Sequence, residues 1–170
     1  MDVNEENLIY QRIGEILVSF QWIESRFREI GWLILDPKRT DWPPLALRKE
    51  SNMALLEKVR ELYLSFLFSC EKELPKDLKD DFISVVEKCH SLRRYRNKLL
   101  HAAFIEFKTD DELLHLVRSD IKIKRNKKTG QIEFDNETLS SEGLKNKLKE
   151  ISLITLALNR HYIQLIHATN

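Results

Sequence analysis

Cysteine is scarce in this sequence, and glycine and proline are too. The 170 residues include two cysteines, four glycines and four prolines. Two cysteines are too few for the disulfide framework of a small secreted domain. Cys70 and Cys89 do not form a CxxC pair, so the sequence does not support a zinc site. Both lie within apolar helical patterns, which predicts buried, reduced thiols.

Long apolar runs and an excess of one charge sign are also missing. No uncharged apolar run approaches the roughly 18 residues that a membrane span needs. The first residues, MDVNEENLIY, are acidic and polar, whereas a signal peptide is basic and then apolar. We therefore expect a cytoplasmic protein that does not bind membranes. The formal net charge is +1, so contact with a nucleic acid would depend on local basic patches.

The remaining composition is that of a globular protein. Hydrophobic residues make up 42% and charged residues 32% of the chain, which is typical of a folded protein with one sizeable core. We expect residues 1–170 to form a single helical domain.

Hydrophobic periodicity predicts an all-α, four-helix bundle. The four helical segments are about 5–35, 45 or 51 to 70, 75–102, and 142 or 144 to 167. Ser140 or Ser141 can cap the last helix. The segment IKIKRNKKTGQIEF alternates apolar and charged residues around a glycine-containing turn. It predicts a small β-hairpin, residues 119–135, inserted before the last helix.

The third predicted helix carries an arginine where its pattern calls for an apolar residue. At about 100° per residue, its apolar side chains occupy an arc about 140° wide. They are Phe82, Val85, Val86, Cys89, Leu92, Leu99 and Ala103. Arg96 falls in the middle of this arc. His90, Arg94, Asn97 and His101 form a polar row beside it, because they are spaced four, three and four residues apart.

A purely structural interpretation explains Arg96 as a buried cation paired with a carboxylate. Glu24, on the flank of the apolar stripe of the first helix, is a candidate partner. A buried Arg–Glu pair needs no catalytic role. His90 and Arg94 can likewise be ordinary solvated residues.

The segment RNKLLH, Arg96-Asn97-x-x-x-His101, resembles the signature of HEPN domains. That signature is Arg-x(4–6)-His late in the third helix of a small bundle, with a polar residue, often Asn, after the arginine. FQWIESRFREI, which contains Glu24, resembles the first helix of these domains, where a glutamate often recurs. The resemblance covers the helical frame, about residues 5–107 and 141–168, and leaves the hairpin outside.

Many HEPN proteins are metal-independent endoribonucleases of toxin, defence or CRISPR-associated systems, and they act as dimers in which two motifs face one cleft. The resemblance implies that Arg96 and His101 are catalytic and that Asn97 supports them. It also implies an RNA substrate, a homodimer, no metal or other cofactor, and an antitoxin or other protein partner in toxin systems.

Basic residues near the motif can hold further phosphates. Those on the third helix are Arg93, Arg94 and Lys98. A second basic cluster lies on the predicted hairpin. It either extends the path along which RNA binds or is only the charged, solvent-exposed tip of the hairpin. Its members are Lys122, Lys124, Arg125, Lys127 and Lys128.

Two alternatives stay open. Other HEPN domains are inactive and bind a protein, RNA or nucleotide, or serve as dimerising modules. The chain can also be an unrelated helical scaffold in which Arg96 pairs with Glu24. The three tryptophans, Trp22, Trp32 and Trp42, fit either a core or an interface.

Overall fold

The computed structural model describes residues 3–40, 44–72, 74–109, 112–120, 124–125, 132–133 and 136–169. The chain forms two compact units. Unit 1 comprises Met1–Val18 and Arg94–Lys149, and unit 2 comprises Ser19–Arg93 and Glu150–Asn170. The assignment of the whole chain to one domain stays a prediction.

The fold is mostly helical, as the periodicity predicts. The helices are α1 (Val3–Leu35), α2 (Leu45–Arg48), α3 (Asn52–Ser69), α4 (Leu78–His101) and α5 (Ser141–Thr169). The predicted second helix is in fact two helices, because Ser51 starts a new one: its Oγ accepts a hydrogen bond from the Ala54 amide at 3.4 Å. No helix in the described part of the chain combines the length and apolarity that a membrane crossing requires.

The β structure is more extensive than predicted. Strands β1 (Ala102–Thr109), β2 (Glu112–Asp120) and β5 (Asn136–Leu139) form an antiparallel sheet in the order β1-β2-β5. Strands β3 (Lys124–Arg125) and β4 (Ile132–Glu133) pair separately, inside the predicted hairpin.

The predicted end of the third helix, at about residue 102, agrees with the structure to one residue, whereas the predicted hairpin begins within β2. The third predicted helix ends at His101 rather than Ala102, and Ser119 belongs to β2. Ala103 is exposed and pairs with Ser119 instead of joining the helical stripe. Phenylalanine and isoleucine in AAFIEF favour a strand once a partner strand is present.

Unit 2 has a core in which α1, α3 and α4 contact one another. The predicted stripe on α4 is buried from Phe82 to Leu92, and the Phe82 ring stacks on Tyr63 of α3 with centroids 3.8 Å apart. Gly31 of α1 lets the helices approach, since a Cβ there would lie 3.0 Å from side-chain atoms of Leu47 and Val59.

Both cysteines are free thiols, Cys89 buried and Cys70 half-buried. Burial raises the pKa of Cys89 to about 12. At neutral pH this thiol is therefore protonated and a poor nucleophile.

In unit 1, hydrogen bonds fix the start of α5 and the edge of the sheet. Ser140 caps α5, because its Oγ accepts from the Gly143 amide at 3.1 Å. The Ser141 amide donates to Glu5 Oε1 of α1 at 3.2 Å. Arg118 of β2, 1% exposed, lies opposite Glu137 of β5 and donates from Nε to its Oε2 at 3.0 Å.

Candidate functional site at the end of α4

Arg96, Asn97 and His101 occupy the last six residues of α4, within unit 1. Arg96 lies on the same face as Leu92 and Leu99, which are both buried and hold this part of the helix in place. The helix continues to His101 and gives way to β1 at Ala102, which pairs with Asp120. His101 is therefore a helical residue, and its side chain is exposed.

Asn97 orients Arg96. The Arg96 guanidinium donates from Nη1 to Asn97 Oδ1 at 3.1 Å, and both side chains are half-buried. On an ideal helix Arg96 and His101 point about 140° apart, with roughly 7.5 Å between them along the axis. Asn97 and His101, four residues apart, are neighbours on the helix surface. Asn97 thus draws the guanidinium towards the side that carries His101.

The local charge is strongly positive. The chain contains no aspartate or glutamate between Glu87 and Glu106. Within that segment Arg94 is exposed, whereas Arg93 and Lys98 are half-buried. Cations at a helix carboxyl terminus are favourable in any protein, because they compensate the helix dipole. An acid-free run of this length also suits an anionic ligand.

Lys147 adds a cation that sequence reasoning misses. Its Nζ lies 5.5 Å from the centroid of the Tyr95 ring. Tyr95 stands between Arg94 and Arg96 in the sequence. The segment KNKLK, residues 145–149, signals a basic first part of α5. The proximity of Lys147 to α4 depends on tertiary structure, which no local sequence pattern reveals.

Other predicted site residues belong to unit 2. Glu24 is in unit 2, and its Oε2 lies 3.8 Å from Arg28 Nη1 on the same helix. The predicted Glu24–Arg96 pair stays a prediction. Arg93 belongs to unit 2, where it ends the segment Ser19–Arg93. It nevertheless lies on α4, the helix that also carries Arg96 and His101. His90 contacts Glu57 of α3, with Nε2 to Oε1 at 2.7 Å, which gives it a structural role.

Most of the predicted basic cluster on the hairpin falls outside the described residues. This holds for Lys122, Lys127 and Lys128, and only the backbone of Lys124 and Arg125 is described. Its role in an RNA path therefore stays a prediction.

A second polar cluster, which the sequence did not predict, joins three helices of unit 2. His161 of α5 is 1% exposed, and its Nδ1 lies 2.9 Å from the Tyr63 hydroxyl of α3. Its Nε2 lies 3.1 Å from Asp81 Oδ2 of α4. Burial lowers the pKa of His161 although Asp81 opposes the shift, and burial raises the pKa of Tyr63.

A neutral His161 fits this geometry when its proton is on Nε2. Its Nδ1 then accepts a hydrogen bond from the Tyr63 hydroxyl, and the Nε2 proton is directed towards Asp81. Tyr63 is fully buried, so the cluster stabilises helix packing rather than binding a substrate. The exposed imidazole of His101 is better placed for chemistry.

Among the described residues, no group of three or more His, Cys, Asp or Glu side chains is arranged to hold a metal ion. Comparison with known proteins finds no matching family model, no similar curated protein and no similar solved structure.

Proposed function

We propose that this protein is a metal-independent endoribonuclease of the HEPN type, acting in a toxin or defence system, with Arg96 and His101 as its catalytic pair. One observation carries the proposal. An exposed histidine and an arginine oriented by Asn97 share the last six residues of one helix, within a segment free of carboxylates. The resemblance of RNKLLH to the HEPN signature supplies the reaction class.

The reaction needs only the RNA and the side chains. The ribose 2′-oxygen attacks the adjacent phosphorus, and the bond from phosphorus to the 5′-oxygen breaks. The products are a 2′,3′-cyclic phosphate and a 5′-hydroxyl. Arg96 binds the non-bridging oxygens and stabilises the charge that develops on them in the transition state.

Two proton transfers accompany this displacement. A base removes the proton of the 2′-hydroxyl, and an acid protonates the departing 5′-oxygen. Histidine suits either role near neutral pH. One imidazole cannot do both in the same step, so we propose a homodimer in which each copy contributes His101.

Flanking cations hold the RNA strand on either side of the scissile phosphate. Arg94 is exposed, and Arg93 and Lys98 are half-buried on the same two turns. Such contacts are electrostatic and do not depend on base sequence.

The test is cleavage of RNA by purified protein in EDTA. His101→Ala and Arg96→Ala are expected to lower the rate at least ~100-fold, as for loss of a general acid–base or of a charge-stabilising donor. Matched controls are His167→Ala, an exposed histidine on α5, and Arg48→Ala, an exposed arginine on α2. Both should leave the rate unchanged.

Equal cleavage by wild type and both site variants would contradict the proposal. Wild-type protein that binds RNA without cleaving it would favour the alternative function, a non-catalytic HEPN-like binding module. The basic residues around Arg94 support that alternative.

A further inference from the structure

A cavity of about 420 Å³ lies between α4 and α5, within unit 2. We call it the α4–α5 cavity. Its walls are mostly apolar, formed by Val85 of α4 and by Leu153, Ile154 and Ala157 of α5. The volume is in the range of roughly 300–1,000 Å³ that small-molecule sites have, and such sites are typically apolar with a few polar groups. Leu153 is 67% exposed, so a molecule bound here would remove a large apolar side chain from water.

The two helices give the α4–α5 cavity its length. On α4 its lining residues extend from Asp81 to Ser91, a distance of about 15 Å along an ideal helix. On α5 they extend from Glu150 to Ala157, about 10 Å. The cavity therefore fits a molecule with an apolar body and one polar head group.

The charge of the lining selects the sign of that head group. Three carboxylate residues line the α4–α5 cavity, Asp81 and Glu87 of α4 and Glu150 of α5. Lys88 is the one cationic residue among the described lining residues. Three acidic groups against one basic group favour a positively charged ligand.

Asp81 links the cavity to the buried polar cluster of unit 2. The His161 side chain is 1% exposed, and its Nε2 lies 3.1 Å from Asp81 Oδ2. This nitrogen nevertheless makes no hydrogen bond of good geometry to any residue that the structure describes. The Asp81 side chain is itself 44% exposed. Its carboxylate therefore has acceptor capacity left on the side of the cavity.

The lining also distinguishes between kinds of organic cation. Among the described residues, no aromatic side chain lines the α4–α5 cavity. The site thus lacks the aromatic cage that holds a quaternary ammonium group. A primary ammonium group offers three N–H donors, which match carboxylate acceptors in charge-assisted hydrogen bonds.

We propose that the α4–α5 cavity binds a small organic cation that consists of a primary ammonium group on an apolar body. The ammonium group binds Asp81 and Glu150, and the apolar body packs against Leu153 and Ala157. This inference adds a ligand site to the protein and does not rest on the proposed cleavage of RNA.

Isothermal titration calorimetry with three probes that share an indole body tests the inference. Tryptamine carries an ammonium group, tryptophol a hydroxyl group and indole-3-acetate a carboxylate. At neutral pH we expect tryptamine to bind with a dissociation constant of about 1 mM or tighter, as is typical of a ligand of about a dozen atoms. Tryptophol should bind at least about tenfold more weakly, and indole-3-acetate should not bind, because the carboxylates repel it.

Variants locate the bound probe. Asp81→Asn and Glu150→Gln should each weaken tryptamine binding about fivefold or more, because each removes one charged acceptor. Ala157→Phe fills the α4–α5 cavity without changing its charge, and it should abolish binding. The matched control is Asp80→Asn, since Asp80 is an exposed carboxylate on α4 that is not part of the lining. It should bind tryptamine as wild type does, and thermal unfolding should show that all variants are folded.

Three results would overturn the inference. They are the absence of tryptamine binding to wild type at about 10 mM, equal affinities for tryptamine and tryptophol, and undiminished binding to folded Ala157→Phe. Because the titrations contain no RNA, a failure here leaves the cleavage proposal standing. Conversely, a protein that binds tryptamine but does not cleave RNA overturns only the cleavage proposal.

Discussion

At the scale of single residues, Asn97 connects the two halves of the proposed catalytic pair. Its Oδ1 accepts from Arg96, and it is the helix-surface neighbour of His101. Neither role requires Asn97 to touch the substrate, so we propose that it is a positioning residue.

We therefore expect Asn97→Ala to lower RNA cleavage about tenfold, less than Arg96→Ala, because the guanidinium loses its orientation but not its charge. In the double variant Asn97→Ala/Arg96→Ala, the loss should equal that of Arg96→Ala alone. Single-turnover rates measure both effects. Fully additive losses would show that Asn97 acts independently of Arg96.

His161 makes stability depend on pH. Its folded-state pKa lies below the ordinary value of 6.5 mainly because of burial. The unfolded chain therefore binds a proton at this histidine more readily than the folded chain does. The contribution of neutral His161 to the stability of the fold is complete above about pH 6.5 and declines as the pH falls towards the folded-state pKa. Asp81 and Tyr63 contact the ring, and the charge of the neighbouring Arg160 also lowers its pKa.

We expect the free energy of unfolding of wild type to fall as the pH drops below about 6.5 in urea titrations. Tyr63→Phe/His161→Phe, which removes both buried partners together, should show a smaller fall over the same interval. The same pH dependence in both proteins would exclude His161 as its source.

At the scale of secondary-structure elements, two glycines of α1 have opposite surroundings. A Cβ on Gly31 would lie 3.0 Å from Leu47 and Val59, whereas a Cβ on Gly14 would have no neighbour within 4 Å among the residues that the structure describes. The first glycine allows α1 to approach α2 and α3, and the second has no such role.

Gly31→Val should therefore destabilise the protein by about 1–3 kcal/mol through overpacking. Gly14→Val is the matched control, and it should change stability by less than about 0.5 kcal/mol because valine is no worse than glycine in a helix. Chemical denaturation measures both. An equal effect of the two substitutions would show that the approach of α1 to α2 and α3 does not depend on Gly31.

The helices were predictable because their signals are local. Apolar spacing located α1 and α5, and Ser51 and Ser140 marked helix starts that the structure uses as caps. The extent of the sheet was harder to predict, because the strand propensity of β1 is realised only through its pairing with β2.

At the scale of the whole molecule, the candidate site also combines residues that local spacing groups with residues that only long-range packing brings together. Arg96, Asn97 and His101 share one helix, so spacing alone grouped them. Lys147 lies 52 residues after Tyr95 in the sequence, and Tyr63 lies 98 residues before His161. Contacts of this range depend on the packing of the chain, which a single sequence does not encode in a readable pattern.

The net charge of +1 bears on RNA binding as well. Because a net charge this close to zero attracts RNA only weakly, we propose that RNA binding depends on the basic segment of α4. We expect Arg94→Ala, in a His101→Ala background that cannot cleave, to reduce the slope of log K against log salt concentration by about 0.7. Arg48→Ala should not change it. Equal slopes for Arg94→Ala and Arg48→Ala would show that the bound RNA does not contact Arg94.

The most direct measurement compares two versions of one oligonucleotide in EDTA, an RNA and its counterpart with a 2′-deoxyribose at the cleaved position. We predict that wild type cuts only the RNA, leaves 2′,3′-cyclic phosphate and 5′-hydroxyl ends, and loses this activity in His101→Ala. Cleavage of the deoxy-substituted strand, or undiminished cleavage by His101→Ala, would contradict the assignment.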